Sequence, residues 1–232
     1  MDATELERRF ASLTTAHIAD GVLRAGLPVR CAPAGIQART PGLRLAGRVL
    51  PARHSGSVDV FLEAFERAQP GDVLVVDNGG RVDESCVGDL VALEAATAGL
   101  SGILIWGLNR DSADLRDIDI PVFSLGTIPT GPLTMLERPA DALDAATIGP
   151  WTVTADDVVF GDDDGAIFVP AARLDQVLTA AEGIRDTERR QAELIRAGTT
   201  LRQQVQFDRY LAAGPRVSFR EHLRTVGGEI EV

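Results

Sequence analysis

An α/β fold with a parallel crossover unit and a C-terminal helical arm is predicted, on three observations. The chain has 232 residues, 45% of them apolar, enough for one substantial core and too short for two full domains. Two apolar runs, Val73-Leu74-Val75-Val76 and Ile103-Leu104-Ile105-Trp106, frame a helical stretch from about Val87 to Ala98. Strand, helix and strand in about 35 residues make a right-handed crossover with parallel strands. After Pro170 a long helix runs to about Ala197.

The elements follow in order. Leu6, Phe10 and Leu13 give one helical stripe, and Ile18, Val22 and Leu23 a second that ends at Gly26 ahead of Pro28. Residues 28 to 57 are rich in Pro, Gly and Arg, with short strand-like runs at Leu43–Ala46 and Arg48–Leu50. Val58 to Gln69 is an amphipathic helix stopped by Pro70-Gly71. Asp72 to Val76 is a buried strand, because four apolar residues in a row leave no polar face. A loop, Asp77-Asn78-Gly79-Gly80, leads to the helix that ends at Gly99. A second buried strand spans Gly102–Gly107 and a third Ile120–Ser124.

The second half changes character. Trp151–Val153, Val158–Phe160 and Ala166–Val169 are short strands, with the acidic turn Asp162-Asp163-Asp164-Gly165 between the last two. Such spacing predicts an antiparallel layer or a small barrel. The long helix carries Leu174, Val177, Leu178, Ala181 and Ile184 on one face, and its distal half, Arg185 to Arg196, is charged. Phe207, Tyr210, Leu211, Phe219 and Leu223 anchor a tail. The division expected is an α/β domain over 1–198 and a helical extension over 199–232.

Composition removes several chemistries. All 23 basic residues are arginine, so Schiff-base, phosphate-loop and Ser-Lys lysines are excluded. A net charge of −11 argues against gripping nucleic acid. Cys31 and Cys86 show no CxxC spacing and read as two buried free thiols. The N-terminus lacks the basic and apolar regions of a signal peptide, and no apolar run is long enough for a membrane span, so a cytoplasmic protein is expected. His17, His54 and His222 are isolated, without HxH or HExxH spacing, and there is no GxSxG elbow. A metal, if used, must then be held by carboxylates, which suits a hard ion such as Mg²⁺ or Mn²⁺.

Two constellations carry chemistry. Gly88-Asp89-Leu90-Val91 opens the crossover helix, where free N–H groups and the positive end of the dipole receive a carboxylate; Asp89 reads equally as a helix cap. Gly107-Leu108-Asn109-Arg110-Asp111-Ser112-Ala113-Asp114 lies just beyond the next strand, at the edge where open parallel sheets bind ligands. Arg110 offers a fork for a carboxylate and Asp111 a hard oxygen for a cation, or the two form an ordinary ion pair. Lying on one edge of neighbouring strands, both segments could converge on one small anion and one metal.

These residues resemble a known family. Thr14-Thr15-Ala16-His17-Ile18-Ala19-Asp20 is similar to its opening helix, and Gln69-Pro70-Gly71-Asp72-Val73-Leu74-Val75-Val76-Asp77 to its central strand. The spacing from Gly88 to Arg110-Asp111 and Asp114 resembles its signature, and Gly161 to Gly165 with Val169-Pro170 its closing hairpin. The group contains the RraA-like regulators of ribonuclease activity and the divalent-metal-dependent 4-hydroxy-4-methyl-2-oxoglutarate/4-carboxy-4-hydroxy-2-oxoadipate aldolases. The resemblance covers roughly residues 10 to 198. It implies a swivelling-type β/β/α sandwich, assembled as a trimer or hexamer with active sites between protomers.

By the matching motif, Arg110 binds the 2-oxo acid and Asp111 holds Mg²⁺ (or Mn²⁺), largely through water. Asp89 supports that water shell, and Gly88, Leu90 and Val91 bind the substrate, the last two taking its carboxylate on their amides. A glutamate from a neighbouring subunit's C-terminal helix is best matched by Glu188, with Glu193 second, though that charged helix reads equally as a solvated face. The activity implied is cleavage of a 4-hydroxy-2-oxo acid of the 4-hydroxy-4-methyl-2-oxoglutarate type to pyruvate, with oxaloacetate decarboxylation alongside. The alternatives are a non-catalytic regulator of a ribonuclease or helicase, and a metal-dependent lyase or hydratase acting on another oxo-acid. Ribonuclease-inhibiting members lack the Asp after the signature Arg, whereas Asp111 is present here. The segment from Arg138 to Trp151 and the tail from Thr199 depart from the aldolase pattern, which puts the substrate in doubt.

Overall fold

The computed structural model describes residues 1–227; residues 228–232, the end of the expected 199–232 extension, lie outside the described residues. The chain opens with α1 (Ala3–Phe10), capped by the Asp2 carboxylate on Glu5 N–H, and α2 (Thr15–Arg24), closed by a Thr14–His17 capping box. Next come β1 (Arg30–Cys31), β2 (Gln37–Ala38), β3 (Leu45–Arg53), α3 (Asp59–Arg67) and β4 (Val73–Asp77). Then follow β5 (Ser85–Val87), α4 (Asp89–Thr97), β6 (Gly102–Trp106), β7 (Leu108–Asn109), α5 (Ser112–Ile118) and β8 (Val122–Ser124). The second half holds β9 (Ala146–Ile148), β10 (Trp151–Val153), β11 (Asp157–Asp162), β12 (Gly165–Pro170) and α6 (Leu174–Arg196). Three short helices close it: α7 (Leu201–Gln204), α8 (Phe207–Ala213) and α9 (Phe219–Val226).

Eight strands form one mixed sheet in the order β1-β12-β11-β3-β4-β6-β8-β2. β3, β4, β6 and β8 run parallel, and β1, β12, β11 and β2 pair antiparallel. The strands alternate between two apolar faces, as their period of two requires. Val73, Val75, Leu104, Val159 and Phe168 point to an inner cluster that also holds Phe123 of β8. Strands near opposite ends of the order therefore share one core, so the sheet is curled. The outer face carries two further clusters. Leu74, Val76, Ile103 and Ile105 pack against α3, α4 and α5, while Phe160, Ile167 and Val169 pack against α1, α2 and α6.

Several sequence expectations change. The runs before and after Gly47 are one nine-residue strand, β3, which crosses Pro51; its antiparallel partner β11 has ended by Arg48, leaving that side open where the ring lacks an N–H. The late strands β11 and β12 are no separate layer but extend the main sheet, while the late pair β9 and β10 stands apart. The crossover helix starts at Asp89 rather than Val87, because Ser85–Val87 is a strand. Of the two thiols, Cys86 is buried but Cys31, on the edge strand β1, is exposed. The acidic turn locks helix to sheet: Asp162 accepts from Thr15 N–H at 2.7 Å and Thr15 O–H at 2.6 Å.

Beyond Ile184, α6 buries nothing into the body. The short helices gather at its end around buried Val205, His222 and Leu223, with the rings of Phe207, Tyr210 and Phe219 5.1 to 5.9 Å apart. His222 Nε2–H donates to Val205 O at 2.7 Å. Leu211, expected as an anchor, is exposed. Among the described residues no helix is long and apolar enough to cross a membrane.

Candidate active site

β3, β4 and β6 end at one edge of the sheet, and the chain past each end builds the site: His54 after β3, Asn78 after β4 and Gly107 after β6. The two constellations meet through a strand pair that sequence reading missed. β5 and β7 pair parallel, Ser85 with Leu108 and Val87 with Asn109, across a bulge. Arg110 N–H then donates to Val87 O at 3.0 Å, which fixes Arg110-Asp111 against Gly88-Asp89. Convergence thus comes from this small pair, not from the main-sheet strands directly.

Asp111 sits at the N-terminus of α5 in the left-handed region, φ 57°. Its Oδ2 receives Arg110 Nε at 3.2 Å and Asp89 N–H at 3.4 Å, and its Oδ1 has no protein partner among the described residues. The ion-pair reading is therefore met in geometry. A half-exposed pair at that distance contributes no more than about 1 kcal/mol, the same order as the cost of a non-glycine residue in that backbone region.

Gly88 is required by proximity. Its φ of −129° suits any residue, but a Cβ there would lie 2.3 Å from Asp111 Oδ2 and 3.1 Å from Arg110 Nε. On the other side of Arg110, a Cβ on Gly131 would lie 2.8 Å from Nη1. Gly88 is also the N-cap of α4, with no side-chain cap bond. The capping reading of Asp89 is thus not met: Asp89 occupies the first helical position. The Leu90 and Val91 N–H groups consequently remain open at the positive end of the helix dipole.

A cleft of about 430 Å³ lies over these groups, walled by Gly88, Asp89, Leu90, Val91 and Arg110 on one side and by His54 and Met135 on the other. The segment 127–136 straps the two sides together. Ser85 N–H and O–H both donate to Thr130 O, at 3.1 and 2.6 Å, Leu133 N–H donates to Glu84 at 2.7 Å, and Leu136 N–H reaches Ser55 O at 2.8 Å. His54 stacks on Phe61, ring centroids 5.3 Å apart and nearly parallel, and its Nδ1 lies 2.9 Å from Asn78 Oδ1. Burial pushes the His54 imidazole below its ordinary value, against the Asn78 hydrogen bond and the nearby Glu84 and Asp59 charges. Burial also pushes the Cys86 thiol in the cleft wall far up, so it is no nucleophile.

Of the residues singled out in sequence, the structure brings together Gly88, Asp89, Leu90, Val91, Arg110 and Asp111. Glu188 is elsewhere in the same chain, on the exposed half of α6, 3.0 Å from His17 Nε2. His54 and Asn78 were missed. The signal that finds them is position, since each follows the carboxyl end of a parallel strand, though for His54 that strand, β3, is interrupted in sequence by Gly47 and Pro51. Among the described residues no group of three or more His, Cys, Asp or Glu is placed to hold a metal.

Comparison with known proteins bears on the family and the fold. The family model described as "RraA-like: Aldolase/RraA" matches residues 15–168. A Dechloromonas aromatica protein named "Putative 4-hydroxy-4-methyl-2-oxoglutarate aldolase" is 35% identical over 122 residues, 53% of this chain and 74% of that protein. Protein DlpA of Legionella pneumophila is 30% identical over 139 residues, 60% of this chain but only 22% of DlpA's own length. The crystal structure of Streptomyces coelicolor RraAS2, an unusual member of the RNase ES inhibitor RraA protein family, superposes with a TM-score of 0.69 at 26% identity. It covers 80% of this chain and 94% of that one. With about two thirds of its length matched by the family model and the same curled α/β architecture, the chain belongs to the RraA-like family.

Proposed function

We propose that the chain is a divalent-metal-dependent carbon–carbon lyase that cleaves a 4-hydroxy-2-oxo acid to pyruvate, and that it decarboxylates oxaloacetate alongside. One observation carries this reading: the Arg110 guanidinium and the open N-terminus of α4 border one cleft, and the Asp111 carboxylate, paired to Arg110 at 3.2 Å, stands directly behind them, an arrangement that suits a small 2-oxo acid beside a cation. The donor set suits a hard ion. Asp111 supplies one carboxylate, with Asp89 adjacent, so an ion held there keeps most of its water, as Mg²⁺ and Mn²⁺ do. When bound, such an ion draws electron density from the 2-oxo group.

The chain's own residues do the rest. Arg110 braces the 2-oxo and carboxylate oxygens with its planar fork. The Leu90 and Val91 N–H groups, beside Gly88, take the carboxylate. Asp89 orders the water that accepts the 4-hydroxyl proton; the C3–C4 bond breaks, and C3 is reprotonated to give pyruvate. Glu188 from a neighbouring copy completes the wall. The site's rim favours such an assembly: Leu90 is 75% and Met135 76% exposed, and Val58, Leu62 and Leu93 add to an apolar surface with no cover. A trimer or hexamer belongs to the same proposal, as does the division at residue 198.

A coupled pyruvate-release assay over 4-hydroxy-2-oxo acids tests it. Turnover is expected with Mg²⁺, lost in EDTA and abolished in both D111A and R110A. Mg²⁺-dependent turnover surviving in D111A rejects the assignment. The likeness to RraAS2 favours a second reading, a protein that binds a ribonuclease. It predicts no turnover with any metal.

A further inference from the structure

The cleft at Arg110 does not end at His54. A second cavity of about 250 Å³ shares His54 and Gly56 with it and continues along Asn78, Arg81, Glu84 and Thr134. Its charged walls are already committed within the chain. Arg53 faces Asp141 at 3.3 and 3.5 Å. Arg81 forks onto Asp83 at 2.9 and 2.8 Å and reaches Glu84 at 3.2 Å. Glu84, buried, accepts from Leu133 N–H, and Asp77, also buried, accepts from Gly79 and Thr147 N–H. An anion entering here meets two buried carboxylates and no uncommitted cation among the lining residues, a costly arrangement away from water.

What the cavity leaves open is neutral. In the orientation that places the Asn78 amide oxygen toward the ring, which leaves the buried Asn78 Nδ2 without a partner among the described residues, the His54 proton sits on Nδ1 and Nε2 is an open acceptor. Thr134 Oγ1 accepts from Arg81 at 3.2 Å and keeps its own proton to donate. One acceptor and one donor in a small cavity match the hydroxyl groups of an uncharged chain.

We infer that the far end of the substrate passes His54 into this second cavity, and that the end it takes is uncharged and hydroxylated rather than a second carboxylate. The inference rests on the proposed lyase reading and specifies its substrate class, a 4-hydroxy-2-oxo acid with further hydroxyls beyond C4. In that substrate the 4-hydroxyl proton leaves and the C4–O bond becomes the carbonyl of a hydroxyaldehyde. The C3–C4 electron pair passes to C3, which takes up a proton to give pyruvate. No oxidant or reductant is needed.

Three probes with Mg²⁺ test it through pyruvate release: oxaloacetate, which has no carbon beyond its departing carboxylate, 4-hydroxy-2-oxoglutarate, and 4,5,6-trihydroxy-2-oxohexanoate. The expected kcat/KM for the trihydroxy acid is at least tenfold that for 4-hydroxy-2-oxoglutarate. H54L and T134V should each narrow that ratio severalfold, mainly through KM for the trihydroxy acid, as losing one hydrogen bond does. Equal or better turnover of 4-hydroxy-2-oxoglutarate, or a ratio unmoved in both variants, overturns the inference. In either case pyruvate from oxaloacetate leaves the lyase reading standing. No pyruvate from any of the three overturns both.

Discussion

G88A isolates the site from the fold. Alanine is compatible with the backbone at residue 88, whose φ is −129°, so the substitution acts through its methyl group alone. That group would start 2.3 Å from Asp111 Oδ2, and real Cβ contacts below 3.0 Å essentially never occur, so the carboxylate must retreat by at least about 0.7 Å. Arg110 Nε, 3.1 Å from the same point, is crowded with it. The displaced groups are side-chain ends, a third to a half exposed, and they can move without disturbing the core. Stability should therefore stay within about 1 kcal/mol of the parent, helped by the smaller entropy of an unfolded chain that has lost a glycine. Catalysis has no such tolerance: a displacement approaching 1 Å in a positioned group lowers turnover about 100-fold. Pyruvate release from oxaloacetate, measured beside a thermal melt, reads both quantities. Activity within threefold of the parent at an unchanged melting temperature would refute the claim that the Gly88 gap sets the position of Asp111.

Two further outcomes concern stability. D162N leaves an amide where Thr15 N–H and Asp164 N–H now find acceptors, and should destabilise by about 2–3 kcal/mol in urea unfolding; a change below about 0.5 kcal/mol would contradict the role given to the acidic turn. Because burial lowers the His54 imidazole in the folded state, the unfolded chain protonates first as pH falls through about 6.5. Above that pH the two states bind protons equally at this residue, and below it stability drops. Unfolding free energies at pH 7.5 and 5.5 should therefore differ less in H54L than in the parent, and an equal difference would show that His54 titrates normally.

The fold was legible where burial writes itself into sequence. β4 and β6 are apolar on both faces because the curled sheet packs on both sides, and runs such as Val73–Val76 record that. The halves of α6 were legible for the same reason, Leu174 to Ile184 facing the core and the charged remainder facing solvent. β5 and β7 were not, since strands of three and two residues have no period to detect and exist only because the loops meet. Gly88, Arg110 and Asp111 stood out by residue type and by their place after strands. His54 and Asn78 did not, because an isolated histidine and a turn asparagine carry no local pattern. Their juxtaposition depends on β3 running parallel to β4, a long-range fact hidden by Pro51.

The strap over residues 127–136 makes the breadth of the cleft a question of chain length. It is stapled to the arginine side through Thr130 and to the histidine side through Leu136. One residue inserted between them adds roughly 3.5 Å of contour. The two banks could part by up to that distance with every reacting group unaltered. Lengthening or trimming this one surface span would fit the same reacting groups to a bulkier or slimmer molecule.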